Sequence, residues 1–202
     1  MSEPARVPRG SGRDALCAAL VRIVARDGLD GVTFRSVAAE AGVTHGLASY
    51  HFGTRDEMIR EALSWATRRA IQQSDLGADA ATIDAFASLV PQMIDEHPDE
   101  SLFQFHLALA AIQRPDLLAE VRASYDGYIQ TVREALERLG LGDDPALARV
   151  VFAAADGLSL QQLLFDNRAE IEDAVRALQR LLRAVAARDT DRSSRDSGAG
   201  AG

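Results

Sequence analysis

The sequence predicts an all-α protein, on three observations. Apolar residues recur at helical spacing along most of the chain. No stretch of any length alternates apolar and polar residues. The 47% hydrophobic content is rich in alanine and only 5% aromatic. Alanine loses no side-chain entropy in a helix and lets helices pack closely. A chain of 202 residues suffices for one domain or two small ones with a real core.

The elements follow in order. "RDALCAALVRIVARDG" places Leu16, Leu20, Ile23 and Val24 on one helical face and closes at Gly28. After the turn "GLDGVT", Thr33 caps a second helix over 34–40, with Val37, Ala38 and Ala41 facing inward. Gly42 supplies a left-handed stop. Thr44 caps a very short third helix whose Leu47 and Ala48 face the same core. Thr54 opens a fourth helix, with Glu57 completing a capping box, that runs to about Gln73.

A Gly/Ala/Asp loop is expected near 75–81, and Pro91 should kink or break the segment "TIDAFASLVPQMIDEHP". "SLFQFHLALAAIQ" is apolar nearly all round, so burial on most sides is expected. A long helix starts at Pro115 and ends at Gly140, with a stripe of Leu117, Val121, Tyr125, Tyr128, Val132, Ala135 and Leu139. "PALARVVFAAADGLSLQQLLFD" and "EIEDAVRALQRLLRAVAAR" form a final pair. The tail "DTDRSSRDSGAGAG" has nothing to bury and is expected to be disordered. The expected organisation is a disordered arm at 1–11, a helix-turn-helix domain at 12–58, a larger helical body at 59–188 and a disordered tail at 189–202.

Composition removes several function classes. The single Cys17 cannot form an intramolecular disulfide and reads as a buried thiol. No apolar run approaches the roughly 20 residues that span a bilayer. The start of the chain lacks a signal-peptide core, so a cytoplasmic protein with no membrane partner is expected. The histidines at 45, 51, 97 and 106 show no ligand spacing with one another or with Cys17, so no metal and no cofactor are expected. No phosphate loop, nucleophile elbow or paired Glu-x-x-His motif is present, and no enzyme is expected.

Net charge is −8, but unevenly spread. Residues 1–60 hold eight arginines against seven acids; the remainder holds fourteen against twenty-three, and there is no lysine. An acidic body repels phosphate, so any nucleic-acid contact falls to the first sixty residues. There, "SVAAEAGVTHGLASYHFGTRDEM" joins two short helices through a glycine corner. Ala38 is small so that the next helix can pack over it, and Val43 plugs the corner. The third helix would enter a major groove of double-stranded DNA, presenting Thr44, His45, Gly46, Ser49 and Tyr50. Arg55, beside free N–H groups at a helix start, would attract a phosphate. Thr33, Arg35, His51 and Thr54 complete the expected contact set. The plain alternative is a bundle corner in a helical adaptor or ligand-binding protein without DNA affinity.

In the body, a pocket for a small-molecule effector is expected among Phe86, Met93, Phe103, His106, Tyr125, Tyr128, Phe152 and Gln161, though core packing explains each one taken alone. Tyr125 and Tyr128 lie three apart and share a face. Trp65 reads as a large apolar plug.

From Arg13 to about Ile59 the chain resembles the N-terminal domain of TetR-family transcriptional regulators. The resemblance rests on Gly28 to Thr33, the Tyr50-His51-Phe52 run and the Thr54-Arg55 pair. It implies a homodimer whose body binds a small effector and whose heads read a palindromic operator in successive major grooves, most commonly as a repressor. It also implies a dimer interface on the last two helices, at Leu158, Leu164, Val175, Leu178 and Leu182. Two positions depart from the family pattern: Ala48 replaces a usual Leu or Ile, and Ser49 stands where an aromatic is common.

Overall fold

The computed structural model describes residues 11–73, 82–85 and 95–199, and no strand occurs among them. The helices are α1 (Ser11–Asp27), α2 (Phe34–Glu40), α3 (His45–His51), α4 (Arg55–Gln73), α5 (Pro98–Gln113), α6 (Pro115–Arg138), α7 (Pro145–Phe165) and α8 (Arg168–Ala199), with a 3-10 turn at Leu29–Gly31. The all-α expectation holds among the described residues, and most of the segment "TIDAFASLVPQMIDEHP" lies outside them. The expected arm over 1–10, the loop near 75–81 (except for its neighbour Thr82) and Pro91 lie outside the described residues.

Two compact units emerge, one of Met1–Ala70 with Asp99–Ser124, the other of Ile71–Pro98 with Tyr125–Gly202. The first is larger than the expected head at 12–58. Its core takes Leu16, Leu20, Ile23 and Val24 from α1, Val37 and Ala38 from α2, Ala48 from α3 and Met58, Ile59 and Ala62 from α4, all at most 2% exposed. Each such Leu or Ile contributes about 1.5–3 kcal/mol. Phe103 and Leu107 of α5 and Leu117 of α6 belong to the same unit. Buried Thr67 and Ser124 satisfy each other, hydroxyl to hydroxyl at 2.7 Å. Cys17 is buried, which pushes its thiol up to about 12 and leaves it inert.

The second unit centres on Ile129, Val132, Ala135 and Leu136 of α6, Ala148 and Val151 of α7 and Leu182 of α8. Asp144 caps α7, accepting from the N–H groups of Ala146 at 2.8 Å and Leu147 at 3.1 Å, with Pro145 at the first helical position.

Two expectations are corrected. Residues 189–199 continue α8 instead of forming a disordered tail. Extending a helix costs little once it is nucleated, and neither Pro nor Gly interrupts the sequence before Gly198. Nor is α5 buried on most sides: Phe103, Leu107 and Ala111 face inward, while Leu109 and Ile112 are exposed. Exposed His106 and Gln113 lie on the same face as Leu109, a sparse polar signal in a stretch otherwise almost wholly apolar.

Candidate nucleic-acid interface

The corner between α2 and α3 is built from local chemistry. Thr33 Oγ1 accepts from the Ser36 N–H at 2.9 Å, and Ser36 Oγ accepts in return from the Thr33 N–H at 2.9 Å. This reciprocal box starts α2. At its other end Gly42 takes φ 68. The Gly42 N–H donates to Ala39 O at 3.1 Å and the Val43 N–H to Ala38 O at 2.9 Å, a Schellman closure that consumes the last free carbonyls of α2. A left-handed residue here lets the chain reverse within two positions, so α3 packs back on α2 and buries Ala48 completely. Ala48, one of the two departures from the family pattern, is thus a tight core contact.

α3 turns the rest of its surface outward. Thr44, His45, Gly46, Ser49 and Tyr50 are all exposed, Tyr50 at 83%. Thr44 occupies the cap position without spending its hydroxyl on the helix. A Cβ on Gly46 would meet nothing within 4 Å, so the backbone surface there is open. Ser49 Oγ donates to His45 O at 3.3 Å. His45 sits edge-on to Phe34 at 6.2 Å, and Tyr50 edge-on to His51 at 5.5 Å. The face is uncharged, hydrogen-bonding and the width of one short helix.

Thr54 and Glu57 form the expected capping box on α4: the Thr54 N–H donates to Glu57 Oε2 at 2.8 Å, and the Glu57 N–H to Thr54 Oγ1 at 3.1 Å. Arg55, expected to attract a phosphate, also has partners inside the head. Its Nε donates to the Val32 carbonyl at 2.8 Å and its Nη2 to the Leu29 carbonyl. The guanidinium fastens the 3-10 turn to the start of α4. Among the arginines of residues 11–60, Arg13 pairs with Glu61, Arg22 and Arg26 with Glu40, and Arg60 with Glu120. Hydrogen bonding to Arg22, then to Arg26, holds the Glu40 carboxyl below the usual range. That leaves Arg35, exposed on α2 beside the corner, as the one arginine of this set with no hydrogen bond or ion pair.

The expected effector residues do not all converge. Phe86 and Met93 lie outside the described residues. Phe103 is sealed in the first unit's core, and His106 is exposed on α5, its ring 3.9 Å from where a Cβ of Gly28 would lie. Gln161 faces solvent; its neighbour Gln162 is the buried amide, donating to Asp95 at 2.9 Å. Tyr125, Tyr128 and Phe152 do come together. Tyr125 stands edge-on to Phe152 at 5.4 Å, and Tyr128 stacks on Phe152 at 5.9 Å and 10°. Asp156, one turn beyond Phe152, accepts a 3.4 Å hydrogen bond from the Tyr125 hydroxyl. Sequence reading missed Asp156; the signal was a lone carboxylate inside "FAAADGL". Burial pushes the Asp156 carboxyl up, and burial followed by the Asp156 charge pushes the Tyr125 phenol to about 12.

Of the expected interface residues, Val175 and Leu182 are core residues of the second unit, and Leu158 packs on Ile171 and Val175. Leu178 packs partly buried on the same unit's main core. Leu164 is 63% exposed and stands with exposed Val150, Leu160 and Phe165 of α7 and Leu181 of α8. The spacing 150, 157, 160, 164 lines one face of α7, where a Cβ on Gly157 would also meet open space. Trp65 is half-buried under the Arg69 guanidinium, 5.5 Å from its ring. Among the described residues no His, Cys, Asp and Glu group could hold a metal, and no helix is long and apolar enough to cross a membrane.

With the geometry in place, comparison with known proteins is informative. The family model "Bacterial regulatory proteins, tetR family" matches residues 16–62, and "Tetracyclin repressor-like, C-terminal domain" matches 77–190. The HTH-type transcriptional regulator PksA of Bacillus subtilis (strain 168) is 23% identical over 93% of this chain and 96% of its own length. A member of the TetR family from Streptomyces coelicolor A3 is 30% identical and superimposes with a TM-score of 0.67, covering 84% of this chain and 97% of that one. The multidrug binding protein EbrR, solved in complex with imidazole, is 30% identical with a TM-score of 0.62, covering 87% and 97%. EbrR has also been solved with proflavin and with ethidium.

Proposed function

This chain belongs to the tetR family of bacterial regulatory proteins, and from that premise we propose that it is a repressor that binds a palindromic operator as a homodimer and is released by a small organic effector. The observation that carries the reading is the corner itself. Gly42 turns a compact helix outward, and its exposed surface is Thr44, His45, Gly46, Ser49 and Tyr50 with unpaired Arg35 at its side. Hydroxyls and an imidazole can bond to base edges and phosphate oxygens, and Arg35, free of internal partners, can supply a phosphate contact.

Two heads reading one operator require two copies of the chain. The exposed apolar stripe of Val150, Leu160 and Leu164 on α7, with Leu181 of α8, is the surface that a second copy would cover. Half-sites in successive major grooves lie about 34–36 Å apart, so a modest shift of the heads weakens one of them.

The effector would bind in the second unit, where Tyr125, Tyr128, Phe152 and Asp156 meet. EbrR, a relative described as a multidrug binding protein, supports a small organic ligand. Release requires that the ligand favour one conformation over the other. No catalytic activity forms part of this role.

The experiment is binding to duplex DNA as a function of salt. Affinity for a bound fragment should fall linearly with the logarithm of salt concentration, as phosphate contacts release counterions. A purified dimer that binds no duplex at low salt would leave the adaptor as the surviving reading.

A further inference from the structure

A half-buried acidic side chain beside a cluster of three aromatic rings, with no cationic partner among the described residues, is an unusual element of a helical core. Phe152 and Asp156 are four apart on α7, and Tyr125 and Tyr128 three apart on α6, so each pair occupies one face of its helix. The rings contact one another edge-on and stacked, at 5.4 Å and 5.9 Å. Among the described residues the Asp156 carboxylate reaches only the Tyr125 hydroxyl, at 3.4 Å, and pairs with no arginine or histidine.

We propose that Asp156 is the counter-ion of a cationic effector: the second unit takes a small organic cation bearing an aromatic or methylated ammonium surface, seated against Tyr125, Tyr128 and Phe152. This deepens the effector reading given above and rests on it.

The chemistry points one way. A carboxylate partly withdrawn from water bears a desolvation cost unless it is paired and well hydrogen-bonded, and one bond at the long limit offsets little of it. Replacing Asp156 with an apolar residue would be the simpler way to fill a core, so its cost is explained if a ligand supplies the missing charge. Ring faces carry the negative end of a quadrupole, which adds to attraction for a cation and repels an anion. The chain's net charge of −8 further concentrates cations at its surface. A neutral ligand of the same shape would gain ring contact but leave the carboxylate unpaired.

The test is titration calorimetry of the full chain with three probes of matched shape: phenyltrimethylammonium, its uncharged isostere tert-butylbenzene, and benzenesulfonate. The cation should bind at least about tenfold more tightly than the isostere, and the sulfonate should not bind. Asp156→Asn should cut the preference for charge to the small part that the ring faces supply, while keeping ring-dependent binding. Phe152→Leu, which retains Asp156, should weaken cation and isostere alike, and serves if the Asn variant fails to fold. Tyr125→Phe should keep the preference. Equal affinity for cation and isostere, or a preference undiminished by Asp156→Asn, overturns the proposal. Duplex-DNA affinity measured on the same preparations separates the two claims. DNA binding without cation preference rejects the ligand class alone. Cation preference without DNA binding supports the site and rejects the regulator.

Discussion

Arg55 Nε donates to the Val32 carbonyl oxygen at 2.8 Å, so the first residue of α4 holds the turn that feeds α2. The same guanidinium also reaches the Leu29 carbonyl, closing a clamp across 3-10 turn and helix start. This arginine positions the head. Arg55→Ala should lower stability by about 1–2 kcal/mol, reduced from a buried value because the side chain is partly exposed. DNA affinity should fall with it, while the slope of log affinity against log salt stays unchanged. A slope smaller by about one would return Arg55 to the phosphate-contact set.

Arg35 is expected to behave in the opposite way. With no internal partner to lose, Arg35→Ala should leave the melting temperature unaltered and reduce the salt slope by about one, uniformly across DNA sequences. Tyr50, 83% exposed, should likewise tolerate replacement in the fold. Tyr50→Ala should cost roughly tenfold in operator affinity, the value of one lost hydrogen-bonding contact. Melting curves beside anisotropy titrations check both variants.

Gly42→Ala isolates backbone strain from packing. A Cβ at this position meets nothing within 4 Å, yet φ is 68. The substitution should therefore destabilise by roughly 1–2 kcal/mol through the left-handed conformation alone. Denaturant unfolding measures it; an unchanged midpoint would mean that the corner does not need its glycine.

Leu164→Glu tests the dimer surface. Leu164 is 63% exposed in the single chain, so the change should leave monomer stability intact. It should yield monomers in sedimentation experiments and abolish tight operator binding. A variant that remains dimeric at low concentration places the interface elsewhere.

The raised carboxyl of Asp156 makes stability depend on pH. Burial raises its folded-state pKa above the unfolded value, so the folded protein binds the proton more tightly. The resulting stability is present below the ordinary carboxylate range and is lost as pH rises through the folded pKa. Asp156→Asn should thus be more stable than the parent at neutral pH, with the gain disappearing in acid. Tyr125, with its phenol held at about 12, stays protonated throughout this window. Thermal melts at several pH values check the sign.

The sequence showed what depends on residue type at short range. Gly42 was readable because a left-handed stop all but names its residue, and the Thr54–Glu57 box because both partners sit three apart. The role of Arg55 was not, since its partners are backbone carbonyls of Leu29 and Val32, which any residue would offer. The sorting of α7 and α8 also escaped. Leu164 and Leu182 look alike in an apolar stripe, and only tertiary packing leaves one exposed and the other 2% exposed. Asp156 was passed over for the same reason, because its meaning comes from rings on another helix.

Selection of bound sequences from a random duplex pool tests the groove-reading role of α3 most directly. Two heads in successive major grooves predict an inverted repeat, its half-site centres one helical turn or a multiple apart (one turn being about 10–10.5 base pairs), lost in the Tyr50→Ala variant. Recovery of no enriched sequence, or of a motif that Tyr50→Ala selects equally well, would contradict it.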